Sequence, residues 1–418
     1  MRIPLFSTFL LTTSAVFAAN LTVSPDHPDG CYATGEPVTW TVVGGTTNLP
    51  YTVQEAGLSN IATGNLNFDG GRATVTAKLD HPGTLLLTVT VDEKNKAHGG
   101  AAFAWQQIQP SAQAPTDFDE FWKEKLKELA NVPVNSALQE VDSGSPDVQL
   151  WKITMDNIRG TKINGYLARK RGDFPLPAVL QVQHAGTHAL KKEWAVGLAR
   201  NGFLALNIIA HDLPVDRDDS FYTDQLDKGP LHDYLHQGGD DREKSYFLRM
   251  YLACYRAVDY LTGRRDWNKH TLLVEGESMG GMQGVITAGL HPAVTAATLC
   301  VPAGADQTGV LKGRAIGFPY WIRNTMTGPE REARLKSCGY YDTVNFAKRI
   351  HCPVLIGMGL CDTTCPSEGV FAMFNQITAP KQLVILPEGD HRTGHAAYES
   401  IKSQWWKAAS TDSPMPMN

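Results

Sequence analysis

Residues 276–280 read GESMG, so that Ser278 stands between glycines in the second half of the chain. The apolar run 271–274 before it is typical of a strand, and 284–290 after it is typical of a helix. A sharp strand-to-helix turn exposes a serine hydroxyl above a sheet, and small glycines let the backbone close that tightly. The pattern predicts that Ser278 is a nucleophile. The alternative is a glycine-rich turn that carries an exposed serine.

A reactive serine needs a base, and the base needs an acid that orients it. Both types of residue follow Ser278 in the chain. The strand predicted at 352–359 leads to Asp362, and the strand predicted at 381–386 leads to His391. The order Ser, Asp, His and the positions just past strand ends match serine hydrolases built on an open sheet. We therefore predict Asp362 as the acid and His391 as the base.

Each of these two assignments has a rival nearby in the sequence. His395 follows His391 closely, and we expect it at the start of the last helix. Asp390 is adjacent to His391, and an aspartate in that place is more typical of a turn.

The oxyanion that forms during acyl transfer needs preorganised N–H donors. One is the backbone N–H of the residue after the nucleophile, Met279, and the other comes from the loop after the third strand. Gly186 is our candidate in that loop, with Ala185 and Thr187 as alternatives.

Two histidines in the same loop, His184 and His188, raise the alternative of a metal site. The sequence offers no third ligand at convincing spacing, so we expect neither a metal nor a cofactor.

Composition limits the classes of partner. The 418 residues are enough for two domains, and the 42% hydrophobic content is ordinary for a globular protein. The net charge is −5 and no dense Lys/Arg run occurs, which argues against nucleic acid or an anionic membrane surface as partner. No later stretch of about 18 apolar residues occurs, so we expect no membrane anchor.

Residues 1–18 have the features of a secretory signal. Arg2 supplies the positive charge, 3–17 are mostly apolar or small, and VFA at 16–18 fits cleavage before Ala19. We predict a secreted or periplasmic protein; the alternative is a buried N-terminal strand.

Export permits disulfides, but the seven cysteines are an odd number, so at least one stays unpaired. Cys361 and Cys365 could form a bridge beside Asp362. We expect most of the seven to be small buried apolar residues.

Four segments follow the signal. Residues 19–108 contain short alternating runs that predict a small all-β sandwich of the immunoglobulin kind. Residues 109–115 are polar and contain proline, which is typical of a linker. Every candidate catalytic residue falls in 116–410, and 411–418 is predicted to be a flexible tail.

Strands and helices alternate within 116–410, and several strands are apolar throughout, as strands buried on both faces are. We predict an α/β fold with a mostly parallel sheet of about eight strands. The predicted strands lie near 149–156, 163–170, 177–184, 203–210, 270–275, 294–301, 352–359 and 381–386, and the predicted helices near 117–130, 191–201, 245–263, 279–290, 366–377 and 395–408.

From Pro115 to about Trp406 the chain resembles the acetyl xylan esterase and cephalosporin C deacetylase family of carbohydrate esterases. The segments that carry the resemblance are DFDEFW at 117–122, YLACYRAVD at 251–259, YDTVNFAKRIHCPVL at 341–355 and GLCDTTCP at 359–366.

The resemblance implies an α/β-hydrolase fold with Ser278, Asp362 and His391 in the triad positions. It also implies removal of acetyl groups from sugars, xylan side groups among them, and ring-like homo-oligomers. The family's Arg-Gly-Gln motif after the fourth strand is replaced here by AHDLP at 210–214.

We therefore expect a serine esterase that acts on acetylated xylan or xylo-oligosaccharides through an acetyl-enzyme intermediate. The rivals are a serine peptidase of the prolyl-oligopeptidase kind and a non-catalytic binding protein on the same fold. Residues 19–108 are too few for the propeller that such peptidases usually carry. Aromatic side chains can stack on sugar faces, with core packing as the alternative role. The candidates are Tyr320, Trp321, Trp405 and Trp406.

Overall fold

The computed structural model describes residues 21–172, 174–323 and 325–417. The predicted signal at 1–18 lies outside the described residues and stays a prediction. Residues 21–103, the β-region, contain strands and no helix in the part of the chain that is described. The strands are β1 (Thr22–Pro25), β2 (Cys31–Tyr32), β3 (Pro37–Val43), β4 (Leu49–Glu55), β5 (Ser59–Leu66), β6 (Arg72–Lys78), β7 (Gly83–Thr90) and β8 (Lys96–Phe103).

The β-region folds into two sheets with the strand orders β1-β3-β6 and β2-β8-β7-β4-β5. Burial alternates along β3, so that one face of its sheet lies against the core. Trp40 is fully buried in that core, and its Nε1 donates a hydrogen bond to the Gly100 carbonyl at 3.2 Å. The predicted all-β character is thus present, while the immunoglobulin-like assignment stays a prediction.

A nine-stranded mixed sheet organises the rest of the described chain, in the order β17-β16-β15-β14-β12-β13-β11-β10-β9. The six strands from β12 to β17 run parallel, and β9, β10 and β11 pair antiparallel. The strands are β9 (Ala137–Val141), β10 (Val148–Asp156), β11 (Lys162–Lys170), β12 (Leu176–Val182), β13 (Leu204–Ile208), β14 (Trp267–Glu277), β15 (Ala296–Cys300), β16 (Val354–Gly359) and β17 (Lys381–Leu386).

The sheet has one strand more than the sequence predicted. The additional strand, β9, lies at the sheet edge and pairs only with β10 among the described strands. Its sequence, ALQEV, is almost entirely exposed, so it lacks the apolar alternation by which a strand is recognised. The other eight strands lie at the predicted places.

Helices cover both faces of this sheet. Helices α3, α6 and α7 were not predicted, because they are short or polar. None of the helices among the described residues is long and apolar enough to cross a membrane. The helices are α1 (Phe118–Ala130), α2 (Lys192–Arg200), α3 (Asp219–Asp227), α4 (Tyr246–Gly263), α5 (Met279–Leu290), α6 (Gly328–Cys338), α7 (Thr343–Ala347), α8 (Ser367–Gln376) and α9 (Ala396–Ser410).

The predicted linker, 109–115, is anchored to the part of the chain that follows it. The backbone N–H and the hydroxyl of Ser111 donate to the buried Asp306 carboxylate at 2.8 and 2.6 Å. Arg314 donates to the Gln109 carbonyl at 2.7 Å. These contacts fix the segment, so it does not act as a free spacer.

The β-region also contacts the large sheet's helices directly. The N–H and hydroxyl of Thr84 both donate to the Glu368 carboxylate on α8 at 3.0 Å, and Arg314 pairs with the same carboxylate at 2.6 Å.

At the other end of the chain, the first residues of the predicted tail contact the large sheet, because the Thr271 hydroxyl donates to Asp412 at 2.8 Å. Flexibility of 411–418 stays a prediction.

Candidate active site

Ser278 lies in the turn between β14 and α5, with φ 57° and ψ −120°. The turn closes because its glycines have no side chains. A Cβ on Gly276 would lie 2.3 Å from the Gly280 backbone, and a Cβ on Gly280 would lie 2.4 Å from the Val182 carbonyl oxygen. The positive φ of Ser278 is strained for a residue with a side chain, and such strain is typical of functional sites. The predicted strand–turn–helix geometry is therefore present.

The structure brings Ser278, His391 and Asp362 together in one hydrogen-bonded row. His391 Nε2 lies 2.9 Å from Ser278 Oγ, and His391 Nδ1 lies 2.8 Å from Asp362 Oδ2. Parallel β14, β16 and β17 end at the same edge of the sheet, which is why residues distant in sequence meet there. With Nδ1 protonated toward the carboxylate, Nε2 is free to accept the serine proton.

The Asp362 carboxylate is held by its own loop. Its Oδ1 accepts the N–H groups of Thr364 and Cys365 at 2.8 and 2.7 Å. The Asp362 side chain is 1% exposed, and that of His391 is 18% exposed. The acid is thus buried and fixed, while the base is partly exposed to solvent.

The rival residues have other partners. Asp390 Oδ1 accepts the N–H groups of Arg392 and Thr393, both at 2.7 Å, which makes it a turn residue. His395 precedes α9 but makes no side-chain cap there. Its Nε2 lies 2.8 Å from the Asp390 carbonyl oxygen, so the ring is occupied away from Ser278.

The predicted oxyanion donors lie in the expected elements. Met279 is fully buried as the first residue of α5, where backbone N–H groups have no intrahelical acceptor. Gly186 follows β12 with φ 109°, a value that favours glycine. Among the described residues, the Met279 N–H donates to no backbone acceptor, while the Gly186 N–H lies toward the Tyr234 hydroxyl, where it opposes the rise in the Tyr234 pKa that burial causes. Backbone N–H groups at these two places are suited to bind a developing negative charge.

Two further residues, Tyr234 and His211, lie behind this donor pair. The Tyr234 hydroxyl contacts Met279 Sδ at 3.6 Å, and its ring meets the edge of His211 with centroids 4.7 Å apart. His211 Nδ1 lies 2.8 Å from the Tyr246 hydroxyl, while its Nε2 is buried without a partner in the described chain. No motif or spacing in the sequence marks Tyr234. His211 stands out in the sequence only because it lies where the family has its Arg-Gly-Gln motif.

Burial governs the charge of His211. Burial is the main cause that lowers the pKa of His211 to about 3, and the positive charge of the neighbouring Arg249 guanidinium lowers it further. The nearby Gly186 backbone has the opposite, smaller effect on this pKa. The imidazole is therefore neutral at physiological pH.

One set of three potential metal ligands occurs in the described residues, and it is Asp362, Cys365 and His391. Asp362 and His391 are already hydrogen-bonded to each other. Burial raises the pKa of Cys365 well above its usual value, which disfavours the thiolate that a metal requires. The rings of His184 and His188 are tilted by 34° with centroids 4.8 Å apart, and neither residue belongs to that set of three.

The cysteine bridge suggested by the sequence does not form. Cys361 and Cys365 are buried free thiols, and so are four others; Cys31 is half-buried and also free. The expectation that most cysteines are small buried side chains agrees with this arrangement.

A cavity of about 890 Å³ lies away from Ser278. Asp117, Arg242 and Tyr340 are among the residues that line it, and none of the residues around Ser278 does so.

Comparison with known proteins gives related sequences for most of the chain. A model of the acetyl xylan esterase family matches residues 104–409, beginning just after the β-region. The acetyl esterase Axe7A of Xylanibacter ruminicola is 36% identical over 382 residues, which cover 88% of this chain and 86% of that protein.

Solved structures show the same fold. The acetyl xylan esterases from Paenibacillus sp. R4 and Thermoanaerobacterium sp. JW/SL YS485 both align with a TM-score of 0.63 over 73% of this chain, at 24% and 20% identity. The alignments cover 98% and 97% of those chains. The large mixed sheet with its helices is thus of the α/β-hydrolase kind, with the all-β region before it.

Proposed function

Because this chain belongs to the acetyl xylan esterase family and is a carboxylic ester hydrolase, we propose that it removes acetyl groups from acetylated xylan or xylo-oligosaccharides. The observation that carries the proposal is the row Ser278–His391–Asp362, with contacts of 2.9 and 2.8 Å, within a chain of that family. The resemblance noted in the sequence is confirmed by the family match.

The first half of the reaction forms an acetyl-enzyme. His391 Nε2 accepts the proton of Ser278 Oγ as that oxygen attacks the acetyl carbonyl carbon. Asp362 holds the ring in the required tautomer and stabilises the imidazolium that results. The tetrahedral intermediate then collapses, His391 returns the proton to the sugar oxygen, and the sugar leaves with a free hydroxyl.

The oxyanion of that intermediate is received by the N–H groups of Met279 and Gly186. Their support comes from position, because Met279 directly follows the nucleophile as the first residue of α5 and Gly186 lies in the loop after β12. A donor of this kind contributes about 3 kcal/mol to transition-state stabilisation in comparable enzymes. Ala185 and Thr187 stay alternatives to Gly186 in the same loop.

The second half of the reaction restores the enzyme. His391 takes a proton from water, the hydroxide attacks the acetyl carbonyl, and Ser278 leaves with the proton that His391 returns. The same two N–H donors stabilise the second oxyanion. Acetate is the product, and every proton transfer in this scheme uses His391.

Export is part of the proposal. The support is the sequence of residues 1–18, which has a charged start, an apolar middle and a small-residue cleavage site. A secreted or periplasmic enzyme would meet polymeric or oligomeric plant carbohydrate outside the cytoplasm. Ring-like homo-oligomers, which the family resemblance implies, stay a prediction.

We assign the β-region as an immunoglobulin-like sandwich. The support is the pairing of a three-stranded and a five-stranded sheet around the core that contains Trp40. Its contact with Glu368, through Thr84, gives it a supporting role for the esterase part of the chain.

The test of the proposed function is a panel of substrates for the purified protein. Acetate release is measured from acetylated xylan and acetylated xylo-oligosaccharides, and turnover from p-nitrophenyl acetate, butyrate and octanoate. A dipeptidyl amide is the control for the peptidase rival. We expect acetate release, with rates that fall from acetyl to octanoyl. Hydrolysis of the amide without acetate release would favour the peptidase, and octanoate preference would indicate a lipase-like acyl pocket.

A further inference from the structure

Tyr320 differs from the other aromatic residues that the sequence offered as sugar contacts. Trp321 and Trp405 are 4% and 0% exposed, and both belong to hydrophobic clusters. Trp406 is half-buried, and its Nε1 donates to Thr298 at 3.1 Å. Tyr320, in contrast, is 40% exposed. Of the four, it alone offers a large open ring face.

Backbone hydrogen bonds place Tyr320 beside the reacting residues. The Ala303 N–H donates to the Ser278 carbonyl at 3.0 Å, and the next residue, Gly304, donates to the Phe318 carbonyl at 2.9 Å. The Phe318 N–H donates to the Thr364 carbonyl at 2.8 Å. Thr364 is the residue whose N–H binds the Asp362 carboxylate. The loop that carries Tyr320 is therefore joined to both the nucleophile turn and the acid loop.

The charge environment of Tyr320 agrees with this position. Burial of part of the ring, and then the neighbouring Cys365 and Asp362, raise the pKa of the Tyr320 phenol. The phenol is thus neutral, and its ring lies within electrostatic reach of the triad acid.

The backbone at Tyr320 is held in an unusual conformation. Its φ is 56°, in the left-handed region that residues with side chains rarely adopt. The Tyr320 N–H donates to the Gly317 carbonyl at 2.9 Å, and the Tyr320 carbonyl lies 3.0 Å from His236 Nε2. Strained residues persist where the surroundings fix them, and such places cluster at ligand sites.

A polar group lies next to the Tyr320 backbone. Arg323 Nη2 lies 2.6 Å from Asp233 Oδ1, and His236 Nδ1 lies 2.8 Å from the same oxygen. The side chains of Arg323 and Asp233 are 46% and 42% exposed, so their remaining donors and acceptor lone pairs face solvent. Asp233 also has a left-handed backbone, with φ 49°.

We propose that Tyr320, with Asp233 and Arg323, forms a subsite for a sugar ring next to the acetylated sugar at Ser278. The apolar face of a pyranose ring stacks on Tyr320, and its hydroxyls bind the Asp233 carboxylate and the Arg323 guanidinium. A tyrosine ring provides large contact area at low entropic cost, and a carboxylate and a guanidinium can accept and donate in fixed geometry. The occupant is a neighbouring xylose unit of an oligosaccharide, and the inference rests on the proposed function.

The test compares two substrates in three variants. Tyr320→Ala should lower kcat/KM for acetylated xylo-oligosaccharides by about 3- to 10-fold, mainly through KM, because stacking of this kind contributes modestly. Its kcat/KM for p-nitrophenyl acetate, which has no second ring, should stay unchanged. Tyr320→Phe keeps the ring and should behave as wild type on both substrates.

The matched control is Phe174→Ala. Phe174 is a 42% exposed aromatic residue, but it precedes β12 at the opposite end of the sheet from Ser278. That variant should change neither rate. Equal losses on both substrates in Tyr320→Ala, or no loss on either, would overturn the subsite. If wild-type protein releases no acetate from the oligosaccharides, the proposed function itself fails, and the subsite fails with it.

Discussion

Gly100 in β8 lies against Leu360 so closely that a Cβ on Gly100 would be 2.3 Å from the Leu360 Cβ and 2.5 Å from its carbonyl oxygen. Leu360 begins the loop that carries Asp362. The β-region therefore touches the backbone of the acid loop directly, with no room for any side chain at Gly100. This contact gives residues outside the esterase part of the chain a role in the geometry of the active site.

Substitution of Gly100 tests that role. Gly100→Ala should push the Leu360 backbone and move Asp362, and we expect turnover of p-nitrophenyl acetate to fall by about tenfold or more, because small displacements at a triad are costly. Gly64→Ala is the control, since the atoms nearest to its added Cβ belong to the Tyr51 side chain, from 2.8 Å, within the β-region. Equal activity of the two folded variants would show that the Gly100 contact does not hold the acid loop.

Removal of the β-region is a coarser test of the same contact. Because every candidate catalytic residue lies after the predicted linker 109–115, the sequence alone predicts that a protein starting at Ser111 folds and reacts independently. The contacts of Gly100 and Thr84, which the truncation removes, lead us to expect a lower Tm and a lower kcat on p-nitrophenyl acetate for that truncated protein. Light scattering and thermal melts would accompany the kinetics. A truncated protein with wild-type Tm and kcat would restore the view of independent units.

The two candidate bases can be separated by paired substitutions. His391→Ala should lower kcat by about a thousandfold or more, as triad losses do. His395→Ala should have a small effect, because His395 Nε2 contacts the Asp390 carbonyl and not Ser278. Steady-state kinetics on p-nitrophenyl acetate, with circular dichroism to check folding, decide the matter. A larger loss in the His395 variant would move the base to that residue.

The buried His211 should make stability depend on pH. Its pKa is about 3 in the folded chain against 6.5 when unperturbed, so the unfolded chain binds more protons between these values. The folded state therefore loses stability as pH falls below about 6.5, by up to about 1.4 kcal/mol for each pH unit. Replacing His211 by Asn removes this contribution.

Urea unfolding at about pH 7.5 and pH 5 measures that effect. The difference in the free energy of unfolding between wild type and His211→Asn should shrink toward pH 5 by about 2 kcal/mol. A difference that is the same at both pH values would show that His211 is not held neutral by burial.

The sequence anticipated the residues that chemistry and topology jointly constrain. Ser278, Asp362 and His391 each follow an apolar strand, and parallel strands end at a common edge, so their meeting follows from strand order. The edge strand β9 escaped prediction because ALQEV is exposed and has no apolar alternation. Its place becomes evident only from pairing with β10.

Contacts between distant, unremarkable residues could not be predicted. Gly100 and Leu360 have no motif, and their approach depends on how the β-region packs on the large sheet. The open face of Tyr320 depends on the loop conformation fixed by His236, and the burial of Trp321 beside it has no separate signal in the sequence. Tyr234 reaches Met279 in the same way, through tertiary packing.

The most direct test of the account is acetate release from acetylated xylo-oligosaccharides by wild type and Ser278→Ala. The substitution removes the oxygen that must attack the acetyl carbonyl while leaving the Gly276 and Gly280 turn intact. We predict release by the wild type, a loss of more than about a thousandfold in the variant, and a nearly unchanged Tm. Release by Ser278→Ala near the wild-type rate would contradict the account.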